Sequence, residues 1–113
     1  MTIIFDQNEC ILYTPDKSIF CDVLQDAPFP EGTYEVKVTY CSRYGRTLPQ
    51  ILNVLGENRS VRIFTGLPSY NVITVGKQTE SGRFIQQNAC LMMIQDYITG
   101  QIKSGNDVWM QIK

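Results

Sequence analysis

The sequence predicts a β-rich α+β fold: one domain over residues 1–113, built on a mixed or antiparallel sheet or partly closed barrel with one main helix. Three observations carry this reading. Short apolar runs bounded by turn residues recur along the chain, one segment alternates strictly between apolar and largely polar positions, and a single stretch shows three- and four-residue apolar spacing. A length of 113 residues lies in the commonest domain range of about 100–150, enough to bury a core without staples. With 43% hydrophobic and 19% charged residues the composition is that of a globular domain, and no run approaches the roughly 18 apolar residues of a membrane helix.

Strands are expected near 2–6, 10–14 and 18–24, joined by tight turns at Asp6-Gln7-Asn8-Glu9 and Pro15-Asp16-Lys17 into a meander. Pro28-Phe29-Pro30-Glu31-Gly32 excludes both helix and ladder interior. A strand over 33–41 follows, where Tyr34, Val36, Val38 and Tyr40 form the apolar face. From Ser42 to Arg59 glycine, proline and asparagine interrupt the pattern, so a long, partly ordered connection is expected, held to the core by Leu48, Ile51, Leu52, Val54 and Leu55. Strands resume at 60–64 and 72–75, flanking the loop Thr65-Gly66-Leu67-Pro68-Ser69-Tyr70-Asn71. The helix starts from an Asn88 cap; Leu91, Ile94, Ile98 and Ile102 form its core stripe, Met93 and Tyr97 widen it, and Gly100 marks its frayed end. Val108–Ile112 closes the fold as a strand.

The chain has no histidine, which removes the usual general base, the usual partner of a Ser or Cys nucleophile and the commonest metal ligand. Cys10, Cys21, Cys41 and Cys90 contain no Cys-x-x-Cys pair, so buried free thiols are expected rather than zinc or disulfides. No metal and no cofactor are expected. The net charge is −1, yet residues 1–36 set seven acids against Lys17 alone, while residues 37–77 set six bases against Glu57 alone. Such a basic centre in an acidic chain points to a local anion site rather than a nucleic-acid polymer, unless the acidic third folds onto the basic middle and neutralises it. Met1-Thr2-Ile3-Ile4-Phe5-Asp6 carries no basic leader or cleavage site, so a cytoplasmic location is expected.

Several ordered segments carry a resemblance. They are Leu24-Gln25-Asp26, Phe29-Pro30-Glu31-Gly32-Thr33-Tyr34-Glu35-Val36, Arg46-Thr47-Leu48-Pro49, Ile51-Leu52-Asn53-Val54, Val61-Arg62-Ile63-Phe64-Thr65-Gly66, Ile73-Thr74-Val75-Gly76-Lys77 and Asn88-Ala89. Over roughly residues 18–98 they resemble an uncharacterised, phage- or prophage-associated domain family that looks like a shortened L,D-transpeptidase (YkuD-type) fold. The resemblance implies a histidine where this chain has Phe64 and Gly-Cys where it has Asn71-Val72. A thiol near pKa 8.5 is only a few per cent thiolate at neutral pH, and imidazole supplies the missing deprotonation. With both positions apolar, a pseudoenzyme is the expectation, a relocated Cys41 nucleophile being the exception to test.

A frame that has lost its reactive pair but keeps central positive charges suggests ligand holding. The candidate residues are Arg43, Tyr44, Arg46, Arg62, Thr65, Tyr70, Asn71, Thr74 and Lys77. Arginine forks pair two oxygens of a phosphate or carboxylate, tyrosine faces stack on bases, and Thr and Asn add neutral hydrogen bonds. The expected partner is a small anionic, nucleotide-like ligand: a signal of bacterial immunity sequestered in the host-cell cytoplasm by a phage protein, with homo-oligomers possible and no membrane involved. The alternatives are a structural or virion interaction module, marked by an exposed apolar patch without a concave basic pocket, and a residual cell-wall muropeptide binder.

Overall fold

In the computed structural model, which describes residues 1–113, the chain runs β1 (Thr2–Asp6), β2 (Ile11–Tyr13), β3 (Phe20–Leu24), β4 (Gly32–Cys41), β5 (Arg46–Ile51), β6 (Val61–Phe64), β7 (Val72–Gln78), β8 (Phe84–Ile85), α1 (Gln87–Lys103) and β9 (Val108–Ile112). Eight strands in the order β3-β2-β1-β9-β4-β5-β6-β7 close into a barrel when β7 returns to β3 through Asp22↔Gly76, Val23↔Val75 and Leu24↔Thr74. The short β8 extends β7. Pairing is mixed: β1–β9 and β6–β7 are parallel, and the other ladders are antiparallel.

Period-two patterning produces the closure. In β1 and β9 every second residue is buried, so Ile3, Phe5, Val108, Met110 and Ile112 point into one core. The β1-β2-β3 meander is present, and its second turn is fixed by Asp16, whose carboxylate accepts from the Thr14 hydroxyl, the Ser18 hydroxyl and the Ser18 amide. The Ser18 amide, followed by the two hydroxyls, holds this carboxyl below its ordinary range.

The 42–59 segment is more ordered than its sequence suggests. A tight turn in which the Gly45 amide donates to the Cys41 carbonyl leads directly into β5, which pairs with β4 from Val36↔Ile51 to Cys41↔Arg46. Pro49 is tolerated within β5 because β6 reaches β5 only at Gln50 and Ile51, leaving no ladder bond there for its absent N–H. The apolar face expected for β4 is buried only in part: Val36 is in the core and Tyr34 and Val38 pack against it, while Tyr40 is 65% exposed, beyond Val36, where β9 stops pairing.

Helix α1 starts one residue before the expected Asn88 cap. Gln86 adopts a left-handed conformation at the cap position and makes no side-chain cap, so Asn88 lies inside the first turn. Its buried stripe is narrower than expected: Cys90, Leu91, Ile94 and Ile98 enter the core, Tyr97 packs at its edge, and Met92, Met93 and Ile102 are exposed. The Gln95 amide donates to the Thr47 carbonyl and the Tyr97 hydroxyl to the Met1 sulfur. These contacts, at the starts of β5 and β1, set the helix over one mouth of the barrel. Barrel and helix share a single cluster of 23 buried residues, in which each fully buried aliphatic side chain contributes roughly 1.5–3 kcal/mol. No helix is long and apolar enough to cross a membrane.

Candidate functional site

The turn between β4 and β5 projects Arg43 and Tyr44, and β5 begins with Arg46. The Tyr44 ring packs on Phe64 of β6 with centroids 4.3 Å apart. The Arg43 guanidinium lies 5.6 Å from the Tyr44 ring and that of Arg46 lies 5.8 Å from the Phe64 ring. Arg46 also reaches the sulfur of Met92 on α1, a side chain 45% exposed. Cation, ring, ring, cation and thioether thus form one continuous face across the hairpin, β6 and the helix. Neither arginine has an acidic partner, because the only ion pair in the chain is Lys37–Glu35, at 3.7 Å. That pair is the one ion pair between the acidic first third and the basic middle, so direct contact neutralises Lys37 and leaves the arginines unpaired.

Arg62 lies beside this face, but its fork is already engaged. Nη1 donates to the Thr39 hydroxyl at 2.8 Å and to the Thr39 and Leu48 carbonyls at 3.0 Å, and Nη2 donates to the Tyr40 carbonyl at 3.2 Å. The other candidates lie apart from the cluster. Thr74 is fully buried and its hydroxyl has no partner. Lys77, at the β3–β7 seam, donates to the Phe20 carbonyl and lies over the Phe20 ring. Tyr70 is 65% exposed on the β6–β7 loop, where Asn71 accepts a hydrogen bond from the Ser69 hydroxyl.

Thr65 lines a separate cleft of about 440 Å³ with Phe84, Ile85, Gln86, Gln87, Asn88 and Ala89, at the start of α1. Gln87 fastens the β6–β7 loop there, accepting from the Gly66 amide and donating to the Gly66 carbonyl. No cleft of the molecule is lined by Arg43, Arg46, Arg62 or Lys77. Phe64 and Met92 are the members of the face that sequence reasoning did not assign to a site. Met92 follows Leu91 by one residue, about 100° around the helix, and that offset from the core stripe is the signal that places it outside.

All four cysteines are free; Cys21, Cys41 and Cys90 are buried, whereas Cys10 is exposed in a left-handed turn position and departs from the buried default. Its position between two short strands leaves it outside the barrel pattern. Cys41 is buried at the end of β4. Burial, followed by the neighbouring Cys90 thiol, pushes the Cys21 thiol up to about 12, which keeps it protonated and unreactive. No group of three or more carboxylate or thiol side chains gathers as a metal site would. The positions that the resemblance assigns to base and nucleophile, Phe64 and Val72, lie on paired strands, since Arg62 opposes Val72 and Phe64 opposes Thr74. They sit on one face of this parallel ladder, offset from each other by two residues along it. Comparison with family models, curated proteins and solved structures returns no match.

Proposed function

We propose that this chain is a non-catalytic interaction module that holds an anionic partner on the Arg43–Tyr44–Phe64–Arg46 face. One observation carries the reading: two arginines without acidic partners are laid against a pair of rings packed at a 40° tilt beside an exposed methionine. Arg, Tyr, Phe and Met are the residue types enriched where proteins recognise one another, and aromatic anchors with desolvated arginines dominate such contacts. Guanidinium groups lying on rings keep their in-plane N–H edges directed outward, where they suit carboxylates. Each ring already has a ring and a cation as neighbours, which leaves less surface for stacking a nucleobase. The absence of a cleft around the arginines favours an extended partner over an engulfed one.

The pseudoenzyme part of the proposal rests on the resemblance to the shortened L,D-transpeptidase-like domains. An ancestral thiol–imidazole pair at positions 72 and 64 would have shared one face of the ladder, and both positions now hold packing residues, with Val72 only 4% exposed.

The test is fluorescence anisotropy with a labelled glutamate-rich peptide. Binding is expected to weaken at least about tenfold on Arg43→Ala/Arg46→Ala, with an unchanged melting temperature; equal affinity of variant and parent overturns the proposal. A second reading, sequestration of a small nucleotide-derived signal, is favoured by the cleft at the start of α1, where Thr65 faces the first turn. Calorimetry with cyclic di- and trinucleotides and ADP-ribose derivatives tests it. A bound nucleotide unaffected by the arginine substitutions would establish that reading in place of the first.

A further inference from the structure

The cation–aromatic face has a counterpart at the opposite end of the molecule. The registers Phe5↔Ile112 and Gly32↔Ile112 bring the end of β1, the end of β9 and the start of β4 together. Asp6 at the end of β1, Glu9 in the β1–β2 turn, Asp26 in the loop after β3 and Glu31 immediately before β4 therefore gather at this end. Gln7 joins the two acidic segments, donating to the Phe29 carbonyl at 3.0 Å and accepting from the Phe29 amide at 2.6 Å. Lys113 is the base nearest to them along the paired strands, and the β5–β6 loop adds one charge of each sign, Glu57 and Arg59. None of these acids forms an ion pair within the chain.

From Gly32 to Cys41, β4 advances about 30 Å at roughly 3.3 Å per residue, and the longest dimension of the molecule is 41 Å. Asp6, Glu9, Asp26 and Glu31 thus lie at the end opposite Arg43 and Arg46, whose own end also carries Asp16, Glu80 and Asp107 in its turns. The acidic end is also hollowed: a cleft of about 300 Å³ lies between the Gln7–Cys10 turn and the Gln25–Pro28 loop, with Asp26 on its rim. The basic end is convex, a hairpin turn carrying Arg43 and Tyr44.

Resting on the reading above, we propose that the occupant of the arginine face is the acidic end of a second copy of this chain. In this head-to-tail contact the β4–β5 turn of one copy enters the Asp26-rimmed hollow of the next. Asp26 and Glu31 then supply the carboxylates that Arg43 and Arg46 lack, and Ala27 and Pro28 meet the aromatic pair. Because the two surfaces differ and lie at opposite ends, the contact is heterologous and builds open chains rather than a closed twofold dimer.

Sedimentation velocity tests this on the intact protein. The weight-average mass is expected to rise with concentration near ~0.01 M salt and to fall toward the monomer near ~1 M salt, as the Debye length contracts from roughly 30 Å to 3 Å. Arg43→Ala/Arg46→Ala removes one end and Asp26→Asn/Glu31→Gln the other; circular dichroism confirms that each variant is folded. Each alone should remain monomeric, and an equimolar mixture should stop at a dimer, because only one intact pair of ends is left. A parent chain that stays monomeric at millimolar concentration and low salt overturns the proposal, as does a single-end variant that associates like the parent, or a mixture that does not pair. Should the glutamate-rich peptide still bind in those cases, the arginine face stands and only this occupant fails; if the peptide fails as well, both do.

Discussion

Arg62 ties β4 to β5. Thr39 and Leu48 oppose each other in the β4–β5 ladder, where the Leu52 amide donating to the Glu35 carbonyl sets a phase in which their amides and carbonyls already bond each other; the Tyr40 carbonyl instead points to the side where β9, which pairs with β4 only over Gly32–Val36, no longer reaches. The planar fork of Arg62 donates to all three and to the Thr39 hydroxyl. A hydrogen bond to a charged group contributes about 1.5–3 kcal/mol, and solvent around this half-buried side chain screens part of the total. Arg62→Ala is therefore expected to cost about 2–3 kcal/mol in urea denaturation, whereas Arg43→Ala, at an exposed side chain, should stay within about 0.5 kcal/mol. Arg62→Lys separates charge from geometry: one ammonium cannot span these acceptors, so most of the loss should persist. A lysine variant as stable as the parent would show that charge alone suffices.

Among the elements, β8 is the shortest, and a single missing Cβ sets its place. A Cβ on Gly76 would stand 2.6 Å from a ring carbon of Phe84 and 2.8 Å from the Ile85 carbonyl. Gly76→Ala must therefore lift β8, and with it the first turn of α1, at a cost of about 1–3 kcal/mol; faster amide exchange over residues 84–90 would report it. Gly100→Ala meets nothing within 4 Å and should instead stabilise the helix by roughly 0.5–1 kcal/mol in thermal unfolding. The contrast between these glycines also marks what the sequence makes legible. Strands β1, β4 and β9 could be read to within a residue, because their apolar residues alternate and turn residues bound them. β5 could not, because Pro49 breaks the pattern and is harmless only where β6 falls short. A two-residue strand carries no period, and the helix start is set by Gln86 and by the Gln87–Gly66 contacts rather than by a local cap. Arg43, Tyr44 and Arg46 are close in sequence and remain close in space. That Arg62 would be consumed by backbone carbonyls, or that Thr74 would lie on a covered face, follows only from register.

For the molecule as a whole, barrel and helix share one core, so an ionisation where they meet acts on the stability of both. Cys21 of β3 is completely buried, and the Cys90 thiol of α1 lies beside it. Burial, reinforced by that neighbour, pushes the Cys21 thiol from about 9 up to about 12. Below about 9 the thiol is protonated in the folded and unfolded chain alike, and its packing contribution is fully present. As pH rises through the interval from about 9 to about 12, the unfolded chain releases this proton and the folded chain retains it, so stability falls at up to about 1.4 kcal/mol per pH unit for one proton. Burial also raises the Tyr97 hydroxyl, at the edge of the same helix, and adds to the decline in the same direction. Cys21→Ala deletes the ionisable group and a small volume of core. It should therefore be less stable than the parent at neutral pH, yet lose stability less steeply above pH 9, so that the two curves of unfolding free energy against pH converge. Tyr97→Phe in the same background removes the second contribution and should flatten the curve further. Parallel curves for parent and Cys21→Ala would mean that the thiol ionises as readily in the folded chain as in the unfolded one, a result incompatible with a helix seated tightly over the barrel mouth.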